Sequence, residues 1–128
     1  MYSLQSVGRL RLFTRTAIQT SCKLAKGERV KISPPPTIAD GLRVQKPGEL
    51  TFPITRQNVE AVLTVTDDEI IATMKFILFR MKMVVEPSGA AAAAAIFAKK
   101  LPQNCRRVGV VLSGGNVDSD VLAGVLRD

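Results

Sequence analysis

Apolar residues at Ile70, Ile71, Met74, Ile77, Leu78, Met81 and Val85 recur three or four positions apart, the spacing that lines one face of an α-helix. Lys75 and Lys82 fall on the other side. Just upstream, Thr66-Asp67-Asp68-Glu69 has the form of a capping box, in which the threonine hydroxyl and the glutamate side chain satisfy each other's orphan backbone donors. Val65 and Ile70 stand at the staple positions around it. The pattern predicts a helix from residue 67, whose methionines read as core filling rather than as cofactor contacts.

Patterns on either side extend this reading. Pro53, Ile54, Val59, Val62 and Leu63 suggest a short helix running to about residue 60, with proline in its first turn. Residues 61–65 alternate and are β-branched, which predicts a strand. Glu86-Pro87-Ser88-Gly89 breaks the long helix and opens another. Six alanines, residues 90–95, follow. They read either as a helix by propensity alone or, preferably, as a thin helix packed between layers, because Ile96 and Phe97 at its end look like core. Residues 102–107 form a charged loop, residues 108–112 read as a buried strand, and residues 118–126 as a closing helix.

The amino-terminal third is less regular. Residues 29–32 read as a short extended piece and 33–36 as a stiff polyproline segment. Residues 37–41 form a tight loop ending on Gly41, and residues 44–49 an exposed loop with a Pro47-Gly48 turn. Strands separated by helices predict an α/β fold with a few-stranded parallel sheet. Two strands are too few for a complete doubly wound domain.

The run Val108-Gly109-Val110-Val111-Leu112-Ser113-Gly114-Gly115-Asn116 is where chemistry enters. A β-branched strand that stops at a serine and two glycines is how a parallel strand ends at a ligand crevice, where glycine lets the backbone approach closely.

Composition narrows the chemistry. With 128 residues, 46% hydrophobic, and a mean hydropathy of +0.15, the chain suits one small globular domain. It has no apolar stretch of about 18 residues, so no membrane span is expected. The net charge of +7 is uneven. Residues 1–31 carry seven cations against one acid, Glu28, while the remainder holds eleven cations and ten acids. The basicity therefore belongs to an arm, residues 1–26, set against a nearly neutral body, residues 27–128. The arm contains no acid and reads as a targeting segment, a basic surface helix or a stretch unrelated to the fold. No aromatic residues interleave with its charges, so nucleic acid is not expected as a partner. The absence of histidine excludes Ser-His-Asp triads, Cys-His dyads and most zinc sites. Cys22 and Cys105 lack C-x-x-C spacing and fit free thiols in a reducing compartment.

Five segments occur in order along the chain, spaced as in one known family. They are Thr37-Ile38-Ala39-Asp40-Gly41; Leu50-Thr51-Phe52-Pro53-Ile54; Val65-Thr66-Asp67-Asp68-Glu69-Ile70; Arg80-Met81-Lys82-Met83-Val84-Val85-Glu86-Pro87-Ser88-Gly89; and Val111-Leu112-Ser113-Gly114-Gly115-Asn116-Val117-Asp118. From about residue 26 onward they resemble the carboxyl-terminal part of the serine/threonine dehydratases and serine racemases. Those are pyridoxal-phosphate enzymes of the fold type, fold type II, that includes the tryptophan synthase β subunit.

The resemblance implies pyridoxal 5'-phosphate as cofactor and an amino acid as substrate. It implies that Ser113 meets the pyridine nitrogen, that Gly41 lies against the ring, that Glu86 stands near the cofactor and that Gly114, with Gly115 and Asn116, shapes the turn. Read from the residues alone, a strand-ending serine, a turn glycine and a helix-end carboxylate remain open. No catalytic residue and no metal ligand is assigned.

The departures are equally specific. The family's Schiff-base lysine motif, of the S-x-K-x-R-G kind, has no counterpart here, and no run of more than two glycines supplies its phosphate loop. Around residues 10–21, arginines and threonines stand where the family has cation-binding acids. The resemblance therefore implies a portion of a dehydratase, or of a racemase, that does not catalyse β-elimination by itself. The alternative is a non-catalytic fragment that pairs with a full-length relative or with a second copy as a homo-oligomer. The expected compartment is the cytoplasm, or the mitochondrion if residues 1–26 are a transit peptide.

Overall fold

The computed structural model describes residues 10–13, 27–103, 105 and 107–127. Strand β1 (Leu10–Phe13) pairs in parallel with β2 (Val59–Leu63), in the register Leu10↔Val59, Arg11↔Ala61, Leu12↔Val62 and Phe13↔Leu63, with an irregularity after Leu10. Helix α1 (Thr51–Asn58) leads directly into β2, and α2 (Asp67–Phe76) follows it. Helices α3 (Pro87–Phe97) and α4 (Ser119–Leu126) complete the order. A single 3₁₀ turn, Asp40–Leu42, interrupts the loop before α1. No helix among the described residues is long and apolar enough to cross a membrane.

The capping box forms as its sequence predicts. Glu69 N donates to Thr66 Oγ1 at 3.2 Å, and Thr66 N donates to Glu69 Oε2 at 2.7 Å. Val65 and Ile70 flank it and are both buried. Below them, Met74 and Ile77 continue the buried stripe, and Thr73 satisfies its buried hydroxyl by donating to Glu69 O at 2.7 Å.

The stripe does not extend as far as its spacing suggests. The helix widens into a π turn at Ile77–Met81 and stops at Lys82, held in the left-handed region at φ 59°. A π turn carries more residues per revolution than an α turn, so Met81 rotates out to solvent instead of joining the core.

The largest helix–helix contact joins α2 and α3. Ala90, Ala91, Ala93, Ala94 and Ala95 are all buried in it or beside it. This is the thin packed helix, in which methyl groups set the interaxial distance. Phe97, by contrast, is not core. It lies half exposed at the helix end and packs its ring on Phe76, with centroids 4.6 Å apart and planes tilted by 53°. Helix α3 closes with a full Schellman arrangement: Lys100 N donates to Ala95 O and Lys99 N to Ile96 O, both at 2.9 Å, with Lys99 in the left-handed region at φ 54°. Lys100 then turns its ammonium onto Glu69 Oε2 at 2.7 Å, tying the end of α3 to the start of α2. Ala39 and Val125 close the core from the loop before α1 and from α4.

Two strand expectations need correction. The predicted strand at 61–65 forms two residues earlier, because α1 ends at Asn58 and Val59 is already extended, at φ −94° and ψ 117°. Residues 108–112 form no strand. A strand is defined by its ladder, and this segment makes no backbone hydrogen bond to any other described residue. Val108, Val110 and Val111 are accordingly exposed. Residues 29–32 are likewise irregular, held by a backbone bond from Ile32 N to Gln45 O at 3.0 Å and by Arg29, which donates to Pro47 O at 3.0 Å and to Glu49 Oε1 at 2.8 Å.

Candidate functional site

The first turn of α3 is the point at which the sequence-predicted residues meet. Pro87 occupies its first position, where the missing N–H costs nothing, and Glu86 precedes it in extended conformation. Glu86 N donates to Gly114 O at 3.3 Å, and the Glu86 carboxylate lies directly on the Gly114 α-carbon. A Cβ on Gly114 would stand 2.6 Å from Glu86 Cδ, and its φ of +84° is one that side chains resist. Glycine is thus required there twice over. Gly115 follows the same surface, its α-carbon facing Val84 O, and Val117 N closes the turn onto Gly115 O at 3.1 Å.

A second loop reaches the same helix turn. Ser88 Oγ accepts from Gly41 N at 3.0 Å and donates to Asp40 Oδ1 at 3.4 Å, while Gly41 N is shared with Asp40 Oδ1 at 2.7 Å. Behind it, the loop is anchored to the start of α2. Thr37 Oγ1 donates to Asp67 Oδ1 at 2.7 Å, Ile38 N to Asp67 Oδ2 at 3.4 Å, and Ala39 N to Thr37 Oγ1 at 3.1 Å. Arg43 spans the loop by donating from Nη2 to Thr37 O at 2.6 Å. Gly41 is therefore held by both long helices, through residues the sequence reading did not single out. Ser88, Asp40 and Thr37 carry no local signal for these bonds beyond being small polar residues near turns.

Gly41, Glu86, Ser113 and Gly114 are thus gathered around one helix turn. The Ser113 hydroxyl is exposed and makes no hydrogen bond to another described residue. A nearby cleft of about 820 Å³ is walled by Thr37, Asp40, Arg43, Glu86 and Asn116 among others, but not by Gly41, Ser113 or Gly114. Among the described residues of its wall, the carboxylates Asp40, Asp67, Glu86 and Asp118 outnumber the one cation, Arg43. An anionic phosphate does not suit that wall. Outside that cleft, the exposed Ser113 hydroxyl beside the Gly114 backbone has the chemistry to meet a ring nitrogen. The described residues fit the nitrogen end of the cofactor and not its phosphate end.

Residues 14–114 match a family described as pyridoxal-phosphate dependent enzyme, so the match begins inside the basic arm, earlier than the motifs alone indicate. The chain belongs to that family. It is 46% identical over 101 residues to an L-threo-3-hydroxyaspartate ammonia-lyase of a Pseudomonas species, covering 79% of the chain and 32% of that relative. It is 47% identical over 93 residues to a serine racemase of Schizosaccharomyces pombe, covering 73% and 29% respectively. Among solved structures, the T.th. threonine deaminase superposes with a TM-score of 0.72 at 36% identity, over 84% of this chain and 36% of that one. The fold is a part of fold type II, and the chain spans about a third of the length of the curated relatives it matches.

Proposed function

We propose that this chain supplies the ring-nitrogen side of a pyridoxal 5'-phosphate site in an enzyme that eliminates water from L-serine or L-threonine, giving a 2-oxo acid and ammonia. The observation that carries this reading is the convergence of Gly41, Glu86, Ser113 and Gly114 on the first turn of α3. When bound, the cofactor supplies an electron sink for electrons released at the amino-acid α-carbon. Ser113 is the neutral partner of the ring nitrogen. A hydroxyl leaves that nitrogen largely unprotonated, unlike a carboxylate, and so moderates the sink in favour of expelling a β-hydroxyl. The Gly41 backbone, whose Cβ side is closed by Ser88, lies against the flat ring, Glu86 holds the Gly114 turn and presents a carboxylate beside it, and Gly114 adopts the left-handed backbone the turn needs.

The imine-forming lysine motif and the glycine-rich phosphate loop do not occur in these 128 residues. The expectation is therefore ring recognition without turnover. Titrating the chain with pyridoxine 5'-phosphate shifts the backbone amides of Gly41, Ser113 and Gly114, and threonine incubated with the chain and pyridoxal 5'-phosphate is not consumed. Amides that stay in place overturn the ring assignment. Release of ammonia from threonine, with a borohydride-reducible adduct, overturns the expectation of inactivity.

A racemase reading uses the same residues and is separated by assaying D-serine formation. A second reading, pairing with a full-length relative or another copy, is favoured by the unpaired segment 108–112, and native mass measurement with and without the relative decides it. We place the chain in the cytoplasm, with mitochondrial import as the alternative if residues 1–26 act as a leader; cell fractionation separates the two.

A further inference from the structure

Successive residues of an α-helix point about 100° apart around its axis. Ser88 and Gly89, consecutive in the first turn of α3, therefore face two different loops. On one side, Ser88 Oγ both accepts from Gly41 N at 3.0 Å and donates to Asp40 Oδ1 at 3.4 Å. Only a hydroxyl plays both parts in that space. The fit is mutual, since a Cβ on Gly41 would lie 3.0 Å from Ser88 Oγ and 3.2 Å from Ser88 Cβ. On the other side, buried Gly89 faces the backbone of the serine turn. A Cβ there would overlap Ser113 O and stand 2.9 Å from Ser113 C and 3.1 Å from Gly114 O. Those are main-chain atoms of a turn also held by Glu86, through its N–H to Gly114 O and its carboxylate against Gly114, so they do not yield freely.

From this we infer that Ser88 and Gly89 are paired positioning residues: Ser88 holds the Gly41 loop and Gly89 seats the Ser113 turn, so one rigid helix turn fixes the spacing between the two loops. The pairing deepens the proposed function and rests on it for its relevance to a cofactor ring, whereas the geometry stands without it. Neither residue needs to touch the ring. Each acts by where it puts another.

Amide hydrogen exchange and backbone resonances of the full chain test this. In Ser88→Ala the Gly41 amide keeps its 2.7 Å bond to Asp40 Oδ1 and loses the one to Ser88, so it exchanges about threefold to fivefold faster, while Ser113 and Gly114 keep their resonances. Ser88→Thr restores the slow exchange to within about twofold, a rescue that a purely steric role for Ser88 does not produce. In Gly89→Ala the resonances of Ser113, Gly114 and Gly115 move and Gly41 exchange stays put. Should Ser88→Ala not fold, Ser88→Cys retains roughly the same shape with a weak acceptor and carries the same expectation.

The inference is overturned by unchanged Gly41 exchange in the alanine variant, by failure of threonine to rescue, or by an unmoved serine turn in Gly89→Ala. Titration with pyridoxine 5'-phosphate separates this from the functional reading. If the wild-type amides ignore the ring while exchange responds as described, the functional reading fails and the positioning stands. If the ring binds and the variants leave both loops in place, the positioning fails alone.

Discussion

Removing the Glu69 side chain tests how the two long helices are joined. Glu69 Oε2 accepts from Thr66 N and from Lys100 Nζ, each at 2.7 Å, so Glu69→Ala removes a capping contact and an inter-helix ion pair together. Loss of a cap costs about 1–1.5 kcal/mol. The Lys100 pair, with side chains 27% and 28% exposed, is screened and adds about 0.5–1 kcal/mol. The expected total is about 2 kcal/mol, or a fall in Tm of roughly 6–10 °C for a domain of this size. Glu69→Gln keeps an oxygen for Thr66 N and loses only the charge, so it costs about 0.5–1 kcal/mol.

The pH dependence has a definite sign. Partial burial pushes the Glu69 carboxyl upward, but the hydrogen bonds from Lys100 and Thr66 and the Lys100 charge outweigh it, and the net shift is below the ordinary value of 4.5. A carboxyl lowered in the folded state contributes stability above its unfolded pKa and loses it as pH falls through the folded pKa. The stability difference between wild type and Glu69→Gln is therefore flat from neutral pH down to about pH 5.5 and shrinks below 4.5. Urea unfolding followed by circular dichroism across this range measures it. A cost below about 0.5 kcal/mol for the alanine variant, or a wild-type advantage that persists undiminished to about pH 3, refutes the reasoning.

Three further substitutions follow from the packing. Lys99→Gly at the left-handed Schellman position raises stability by about 0.5–1 kcal/mol, the relief of the left-handed penalty less glycine's greater unfolded freedom, and a lower Tm contradicts it. Ala94→Leu, at a site with no exposed surface, costs about 1–3 kcal/mol by overpacking. Leucine is nearly as good a helix former as alanine, so any loss in thermal unfolding measures the closeness of α2 and α3, and an unchanged Tm denies it. Gly114→Ala costs about 2–3 kcal/mol, from its positive φ and from the Glu86 carboxylate it displaces; a variant as stable as wild type in urea shows that the turn is loose.

What was legible in the sequence was what local interactions decide. The capping box at Thr66 and Glu69 lies within one turn and formed as read. The alanine run declares a thin helix because its methyl side chains combine high helix propensity with close packing. Apolar spacing puts Met81 in the core, but the π turn at Ile77–Met81 is produced by packing and leaves no trace in that spacing, and Met81 is exposed. Residues 108–112 have the composition of a strand, but a strand also needs a neighbour, and composition does not say whether one is there. The site divides in the same way. Gly41, Glu86, Ser113 and Gly114 sit in recognisable motifs, whereas the Ser88 bond to Gly41 crosses 47 residues of sequence and exists only once the chain has folded.

The unpaired segment at 108–112 also bears on how this chain behaves at high concentration. It is uncharged, free of proline and rich in β-branched residues, and its valines are exposed while Leu112 packs on the core; this is the composition from which cross-β stacks nucleate. Arg106 and Arg107 stand immediately before it and act as gatekeepers, since identical copies stacked in register bring like charges together. Their repulsion is long-ranged only in dilute buffer. Salt removes it, and the chain is then expected to associate through this segment faster as ionic strength rises, the reverse of what a basic arm held to an acidic partner does.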